Sequence, residues 1–265
     1  MLNTESVRKK LAEGSYRSEE KSIGGVAGCF PSLAYYPKMI GIVQRAARLA
    51  KKGRYDAEQW IESSLYTIAA LESVGVRFSI ENIGAFSSLE TPCVFVGNHM
   101  SSLETFALPC MIRPYRKVTF VVKKSLVEYP FFKHVMLSQD PIVVGRENPR
   151  EDLRAMLGGG MERLEKGISM IVFPQTTRAS KFNPEDFNSI GVKMAKRAGV
   201  PVVPVAIRSD AWGSEGWPVR DFGAINPEKP VRFSFGEPIE VTGNGREAQD
   251  EVVRFIREKL DTWMT

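Results

Sequence analysis

The strongest constraint on the fold of this chain is a series of short apolar runs, each followed by polar or cationic residues. Val, Ile and Phe recur in runs of strand length, with helix-like stretches between them. The runs lie within residues 94–105, 117–126, 140–146, 167–180 and 199–207. Strands that alternate with helices predict an α/β fold built on a mostly parallel mixed sheet flanked by helices. Ligands bind beyond the carboxyl ends of strands in such sheets, so the polar residues there form the candidate site.

Two regions are predicted within one compact unit of 265 residues. The patterns predict an N-terminal helical layer over residues 1–75 and an α/β domain over residues 76–265. A content of 43% apolar and 25% charged residues suits a globular chain with a full core. The segments expected from periodicity and capping residues are a polar, frayed N-terminus over 1–22, helices over about 37–53 and 56–74, and a final helix over about 245–263.

Charge and cysteine content limit the classes of partner. The chain carries 36 Lys and Arg against 31 Asp and Glu, a net charge of +5. This mild excess suits anionic lipid surfaces or phosphate-bearing ligands, and it is too diffuse to predict a nucleic-acid partner. The three cysteines, Cys29, Cys93 and Cys110, are odd in number and lack metal-ligand spacing. We therefore expect a reducing compartment, no disulfide framework and no metal site.

The N-terminal region has two features that bear on membrane contact. Residues 23–43 are apolar but contain two prolines and Lys38, which makes them a poor continuous transmembrane helix. Residues 37–54 are amphipathic, with Met39 and Ile40 near one face and a cluster of cations at the end. Such a helix can lie in a membrane interface. It can equally pack its apolar face on the domain and leave its cations in water, and both interpretations remain open.

Asn98 and His99 directly follow the first apolar run, and Glu104 lies five residues beyond the histidine. His99 is one of two histidines in the chain. Imidazole is the side chain best suited to take and return a proton near neutral pH. A carboxylate at its second ring nitrogen would fix the tautomer and stabilise the imidazolium. The pair is therefore the first candidate for catalysis.

Glu104 also has a purely structural interpretation. Ser101 and Glu104 fit a capping box, in which the serine hydroxyl and the glutamate carboxylate satisfy free amides in the first turn of a helix. On one continuous helix, residues five apart lie about 140° apart around the axis. His99 and Glu104 can therefore meet only if His99 lies in the turn before the helix and the chain folds back.

Two further segments have less specific interpretations. Residues 158–160 are three glycines that fit no phosphate-loop pattern, and we expect them to interrupt or loosen a helix. The irregular stretch 209–230 carries Trp212, Trp217 and Phe222. It is either a lid over a substrate channel or a loop whose aromatic side chains fold back onto the domain.

Four segments match the motifs of one enzyme family in order and spacing. The first motif, Asn-His-x-x-x-x-Asp, falls on Asn98, His99 and Glu104. The second motif begins with a basic residue, here Lys123 or Lys124, continues with a Pro-aromatic pair at Pro130-Phe131, and ends with an arginine after an apolar run, Arg146. The third motif, Phe-Pro-Glu-Gly-Thr-Arg-Ser, falls on residues 173–179, and the fourth, Val-Pro-x-x-Pro-Val, falls on residues 200–205. Over roughly residues 77–240 the chain thus resembles the lysophospholipid (1-acylglycerol-3-phosphate) acyltransferase family.

The resemblance implies transfer of a fatty acyl group from an acyl thioester to the free hydroxyl of a lysophospholipid such as 1-acylglycerol-3-phosphate. It implies His99 as the general base, oriented by Glu104. The substrate-binding residues that it implies are Asn98, Lys123, Arg146, Gln175, Thr176, Thr177 and Arg178. The acyl donor is acyl-CoA or acyl carrier protein as co-substrate, with no cofactor. Because a lysolipid acceptor lies in a membrane, the resemblance favours a cytoplasmic protein peripheral to the inner face of the membrane.

Three positions depart from the family pattern. Glu104 replaces Asp, which adds a methylene but keeps the carboxylate that would orient His99. Gln175 and Thr176 replace Glu and Gly in the segment linked to the acceptor's head group, a change expected to reshape that pocket. Three alternatives therefore remain: transfer to a lysolipid with a non-phosphate head group such as an amino acid, a catalytically silent lipid-binding relative, and a thioesterase-like hydrolase whose base activates water.

Overall fold

The computed structural model of the protein describes residues 4–20, 22–129, 132–145, 147–175, 177–214 and 223–264. The predictions for Pro130, Phe131, Arg146, Thr176, Trp217 and Phe222 lie outside these ranges. The helices are α1 (Thr4–Ala12), α2 (Gly25–Cys29), α3 (Pro31–Lys51), α4 (Ala57–Glu72), α5 (Gly84–Ser87), α6 (Leu103–Ile112), α7 (Lys124–Glu128), α8 (Lys133–Leu137), α9 (Pro149–Glu165), α10 (Ile190–Ala198) and α11 (Arg246–Met264), with a 3-10 turn at Pro184–Asp186. The strands are β1 (Tyr16–Arg17), β2 (Phe78–Glu81), β3 (Val94–Gly97), β4 (Val118–Lys123), β5 (Ile142–Val144), β6 (Ser169–Val172), β7 (Val202–Arg208) and β8 (Val231–Phe235).

The described strands form one eight-stranded sheet in the order β1-β2-β8-β7-β3-β6-β4-β5. The pairs β1–β2 and β7–β8 are antiparallel, and the other neighbours are parallel. The predicted mostly parallel mixed sheet with flanking helices is therefore confirmed. Since β3 pairs in parallel with both β6 and β7, the carboxyl ends of these three strands meet at one edge of the sheet.

Both faces of the sheet are covered by helices. Phe95 joins the core beneath α4 and α6, whereas Val94 and Val96 join the core beneath α9, α10 and α11. This division follows from the alternation of side chains along a strand. Every residue of β3 is buried. The strand that leads to Asn98 and His99 therefore lies at the centre of the domain.

Two long helices match their predictions. Asp56 caps α4 by accepting a hydrogen bond from the backbone nitrogen of Gln59 at 3.0 Å, and the predicted inward residue Leu65 is buried. Helix α11 buries Val252 and Ile256 along the predicted face. Capping chemistry and apolar spacing were sufficient here, because both signals are local.

Helix α3 begins at Pro31, well before the predicted start at residue 37. Pro31 occupies the first helical position, where a missing amide costs nothing, and Pro37 lies inside the helix. The buried face carries Tyr35 and Met39, whereas Ile40, predicted for that face, is 44% exposed. Among the helices of the described residues, none is both long and apolar enough to cross a membrane.

The prediction of a frayed N-terminus over residues 1–22 is wrong for the part that the structure describes. Helix α1 packs on α4 and buries Val7 and Leu11. Tyr16 in β1 pairs with Ile80 in β2, which adds an edge strand to the sheet. With two buried residues in a nine-residue helix, α1 carries too weak a periodic pattern to be predicted from the sequence.

Gly158, Gly159 and Gly160 do not interrupt the helix, contrary to expectation, because α9 runs unbroken through them. Two of them allow close packing instead. A Cβ at Gly160 would lie 2.5 Å from the sulfur of Met194 in α10, and one at Gly159 would lie 3.3 Å from Ile142 in β5. Gly158 faces open space.

Alanine at Gly160 and alanine at Gly158 should change stability in opposite directions. Gly160→Ala forces the buried Met194 to move, and we expect the free energy of unfolding to fall by about 1–3 kcal/mol, as in other overpacked cores. Gly158→Ala adds helix propensity without a new contact and should raise the free energy of unfolding by about 0.5–1 kcal/mol. Urea unfolding followed by circular dichroism measures both. Equal values for the two variants would contradict the close approach of α9 and α10.

Candidate active site

The side chain of Asn98 joins the ends of β3 and β7. Its Nδ2 donates to the carbonyl oxygen of Ile207 at 2.8 Å, and its Oδ1 accepts from the backbone nitrogen of Ile207 at 2.9 Å. The residue is 1% exposed. This geometry favours a positioning role over the predicted contact with substrate, because both polar ends of the amide are used by the backbone of β7.

His99 is held by the segment that follows β6. Its ring stacks on that of Phe173, with centroids 4.5 Å apart and planes 9° apart. Its backbone nitrogen donates to Oε1 of Gln175 at 2.7 Å, and its carbonyl oxygen accepts from the backbone nitrogen of Ala179 at 2.9 Å. The position of the imidazole is therefore fixed by three contacts to one neighbouring loop.

Glu104 meets His99 in the way that the sequence geometry requires. Helix α6 begins at Leu103, His99 lies in the turn before it, and Glu104 Oε2 lies 3.6 Å from His99 Nδ1. The same carboxylate accepts hydrogen bonds from the backbone nitrogens of Met100 at 2.7 Å and Ser101 at 2.9 Å. One carboxylate thus makes both the contacts expected of a helix cap and the contact with His99.

The carboxylate of Glu104 is fully buried. Burial is the largest influence and raises its pKa, but the contact with His99, the Ser209 hydroxyl and the Ser101 amide together bring the pKa below the ordinary value of 4.5. A carboxyl group whose pKa is lowered by folding contributes stability above its unfolded pKa and loses it as the pH falls through the folded value. Glu104 is therefore ionised and stabilising at neutral pH.

The two ring nitrogens of His99 have different surroundings. Nδ1 is buried and forms no hydrogen bond of ordinary length among the described residues, and at 3.6 Å its contact with Glu104 has the length of an ion pair. The side chain is 19% exposed, so the accessible part of the ring lies away from Nδ1. An ionised carboxylate only accepts hydrogen bonds, so a neutral ring in this position favours the tautomer with its hydrogen on Nδ1, which leaves Nε2 without a proton.

The third motif, residues 173–179, contributes a hydrogen-bond acceptor for His99 and a cation. Gln175 is 6% exposed, and its oxygen is bound to the amide of His99, which favours a positioning role over the predicted contact with a head group. Arg178 is partly buried and donates to the hydroxyl of Ser102 at the start of α6. Thr177 is exposed beside it. Arg178 is thus the cation that the structure brings to the turn of His99.

Lys123 lies farther from the histidine. It is the exposed last residue of β4, which is separated from β3 by β6, so it lies at the same edge of the sheet but two strands away. Its neighbour Lys124 forms an exposed ion pair with Glu128 at 3.8 Å.

The sequence analysis missed Ser209. This residue is 0% exposed, and its hydroxyl lies 2.7 Å from Oε1 of Glu104. A weak signal was present, because Ser209 is a small polar residue directly after β7, which ends at Arg208.

The described part of the stretch 209–230 folds back onto the domain. Gly213 donates to the carbonyl of Ala224 at 2.9 Å, and Asn226 donates to that of Ala211 at 2.8 Å. Trp212 is 3% exposed. The second of the two interpretations, aromatic residues packed on their own domain, therefore holds for this tryptophan.

The comparisons with known proteins agree with this geometry. A family model described as Acyltransferase matches residues 76–208, about half of the chain, a range that includes His99, Glu104 and Arg178. The chain belongs to the acyltransferase family. The match ends immediately before Ser209.

This acyltransferase has relatives among known sequences and structures. It is 29% identical over 213 residues to the 1-acyl-sn-glycerol-3-phosphate acyltransferase of Pseudomonas aeruginosa, with 80% of this chain and 76% of the relative covered. It is 29% identical over 164 residues to the chloroplastic 1-acyl-sn-glycerol-3-phosphate acyltransferase BAT2 of Brassica napus, with 60% of this chain and 44%, less than half, of the relative covered. The crystal structure of the 1-acyl-sn-glycerophosphate acyltransferase PlsC from Thermotoga maritima has the same fold, with a TM-score of 0.68, 16% identity, and 91% of this chain and 97% of that chain covered.

Proposed function

We propose that this protein transfers a fatty acyl group from an acyl thioester to the free hydroxyl of a lysophospholipid, with 1-acylglycerol-3-phosphate as the leading acceptor. His99 is the general base, and Glu104 orients it. The observation that carries the proposal is that Nδ1 faces a buried carboxylate at 3.6 Å while the other side of the ring remains accessible. The Pseudomonas and Brassica relatives are both named as 1-acyl-sn-glycerol-3-phosphate acyltransferases, which supports this class of acceptor.

The reaction requires one proton carrier. Nε2 of His99 takes the proton of the acceptor hydroxyl as the oxygen attacks the thioester carbonyl carbon. The tetrahedral intermediate expels the thiolate of coenzyme A or of an acyl carrier protein, and the imidazolium returns its proton to that sulfur. Glu104 stabilises the imidazolium between the two transfers. The amides of Met100 and Ser101 are bound to Glu104, so other donors must stabilise the oxyanion.

Arg178 is the described residue that best fits an anionic head group. Its guanidinium lies at the start of α6, bound to Ser102, and a guanidinium can hold a phosphate through two parallel hydrogen bonds. Gln175 supplies the acceptor for the amide of His99, a task that needs no charge. Its replacement of Glu therefore gives no specific support to an uncharged head group, and phosphate acceptors take precedence.

We further propose a membrane-contacting surface, the apolar platform, on α3, α7 and α8. Of the eight large apolar side chains that are exposed among the described residues, six lie on or beside these three neighbouring helices. They are Phe30, Leu33, Ile40, Leu126, Tyr129 and Leu137. On α3, Leu33 and Ile40 are two turns apart on the side opposite the buried Tyr35 and Met39. Clustered exposed apolar side chains are typical of lipid or protein contacts, and the lysolipid acceptor resides in a membrane.

An aromatic cluster connects the apolar platform with the catalytic helix. The ring centroid of Trp212 lies 5.3 Å from that of Tyr35 in α3 and 5.7 Å from that of Phe106 in α6. Phe106 follows Glu104 by two residues. This packing joins the proposed membrane-contacting helices to the helix that carries Glu104.

Replacement of the base tests the reaction directly. Thiol release from palmitoyl-CoA is measured in mixed micelles with and without lysophosphatidic acid, for the wild type, His99→Gln and His134→Gln. We expect acceptor-dependent release to fall by about 10²- to 10⁴-fold in His99→Gln, because general-base catalysis is lost. His134→Gln removes the only other histidine and should leave the rate unchanged.

The other outcomes of that assay separate the alternatives. Release without acceptor that disappears in His99→Gln would indicate a hydrolase. Absence of release from both palmitoyl-CoA and palmitoyl–acyl carrier protein, with phosphate and non-phosphate lysolipids alike, would indicate a catalytically silent relative.

Arg178→Ala should weaken binding of phosphate acceptors selectively. We expect the KM for lysophosphatidic acid to rise by about 10- to 100-fold, because a hydrogen bond to a charged group is lost, while the KM for a lysolipid with a neutral head group changes little. Arg154→Ala, at an exposed position on α9, is the control. An equal rise for both acceptors would contradict recognition of the phosphate by Arg178.

Leu33→Ser should weaken binding to membranes. Leu33 is 67% exposed in the protein alone, and we expect it to be buried in the lipid when the protein binds. Burial of one leucine side chain contributes about 1.5–3 kcal/mol of binding free energy, so its loss corresponds to roughly a tenfold or greater fall in the partition constant. Co-sedimentation with vesicles that contain anionic phospholipid measures this constant. The matched control is Leu153→Ser, since Leu153 is also exposed but lies on α9. Equal binding by both variants would argue against the apolar platform.

A further inference from the structure

We infer that Ser209 is a positioning residue for this reaction, which turns the carboxylate of Glu104 toward His99 and keeps it ionised. The inference rests on the proposed function. Ser209 lies one residue beyond the range that matches the family model, and its side chain is fully buried, so it acts through Glu104 and does not touch the substrate.

The two oxygens of Glu104 have unequal sets of partners. Oε1 accepts from the backbone nitrogens of Met100 and Ser101 at 2.7 and 2.9 Å and from the Ser209 hydroxyl at 2.7 Å. Oε2 accepts a longer bond from Ser101 at 3.2 Å and faces His99 at 3.6 Å. Three short bonds on Oε1 fix the rotation of the carboxylate, which leaves Oε2 directed at the imidazole.

The direction of the hydrogen bonds around Ser209 is determined by their chemistry. An ionised carboxylate only accepts, so the single hydroxyl proton of Ser209 is donated to Glu104. The hydroxyl of Ser101, 3.0 Å away, then donates to Ser209, and it accepts in turn from the backbone nitrogen of Leu103 at 3.1 Å. A chain of bonds in one direction polarises each member, which strengthens the final bond to the carboxylate.

The sheet holds Ser209 in this position. Ile207, two residues earlier in β7, is bound at both its nitrogen and its oxygen by the side chain of Asn98. Since Asn98 immediately precedes His99, the same two hydrogen bonds fix the position of the end of β7 relative to the turn that carries His99. A hydroxyl at position 209 therefore has a defined distance to Glu104.

The structure describes several charged groups around this arrangement. His99 contacts Glu104 directly, and Arg178 reaches Ser102 at the start of α6. Asp210, the neighbour of Ser209, is paired with Lys229 at 2.9 Å and also lies near Arg208. The titration that responds to loss of the Ser209 hydroxyl is therefore that of the Glu104–His99 pair.

The test compares Ser209→Ala with Ser234→Ala in the acyl-transfer assay. Ser234 is equally buried, on β8, and its hydroxyl has no hydrogen-bond partner among the described residues, so it is a matched control. We expect Ser209→Ala to lower kcat by about 10- to 100-fold with little change in KM, because a hydrogen bond to a charged group is lost. Ser209→Thr, which keeps the hydroxyl, should recover part of the rate.

The pH profile separates positioning from a general structural role. Loss of the Ser209 donor raises the pKa of Glu104 and frees the rotation of its carboxylate, so the contact between Oε2 and His99 changes. The acid limb of kcat/KM should therefore move in Ser209→Ala, whereas a merely structural loss would leave it in place. A lower kcat with an unshifted acid limb, or a kcat equal to that of Ser234→Ala, would overturn the inference. If Ser209→Ala does not fold, Ser209→Cys keeps the side-chain volume with a weaker donor, and the same shift is expected.

A readout without substrate distinguishes this inference from the proposed function. The Ser209 bond is made to an ionised carboxylate, so the stability lost in Ser209→Ala should be larger at pH 7 than at a pH low enough to protonate Glu104. If the wild type transfers no acyl group but this difference is found, the proposed function fails while the coupling of Ser209 to Glu104 stands. A stability loss that is independent of pH would overturn the coupling itself.

Discussion

The buried carboxylate of Glu104 is the interaction on which the site depends. An ionised carboxylate removed from water is costly unless hydrogen bonds and an opposite charge offset the lost hydration. Here the offsets come from the amides of Met100 and Ser101, the hydroxyl of Ser209 and the ring of His99. These groups belong to the turn before α6 and to the segment that follows β7. The contacts that keep the carboxylate ionised therefore also fix the turn, so the structural role of Glu104 and its proposed catalytic role depend on the same hydrogen bonds.

The parallel sheet brings the remaining groups to this carboxylate. Because β3 lies between β6 and β7 in parallel, the residues that follow the three strands are neighbours. Asn98 ties β3 to β7, Gln175 holds the amide of His99, and Phe173 stacks on its ring. Helix α4 packs directly on α6, and α3 contacts α6 through Trp212, which relates the proposed membrane contact to the same turn. Each of these contacts acts on the position of one imidazole.

Local patterns were sufficient to predict the individual strands and helices α4 and α11, because each depends on residues close in sequence. The spacing of Glu104 and His99 leaves their contact open, and the family resemblance implies it. The backbone contacts of Asn98 and Gln175 were not predictable in this way. Both were assigned to substrate, yet their partners are backbone groups 109 and 76 residues away. Ser209 is likewise 105 residues from Glu104. Contacts of this length are set by strand order, and no spacing rule within the chain reveals which strands become neighbours.

The protonation state of His99 tests the central claim most directly. In the His134→Gln variant, ¹⁵N NMR reports a single histidine, and its chemical shifts distinguish the two neutral tautomers. If Glu104 orients the ring, the proton at neutral imidazole lies on Nδ1 and Nε2 is unprotonated. A neutral ring with its proton on Nε2 would contradict the account, because the nitrogen that should receive the acceptor's proton would already be occupied.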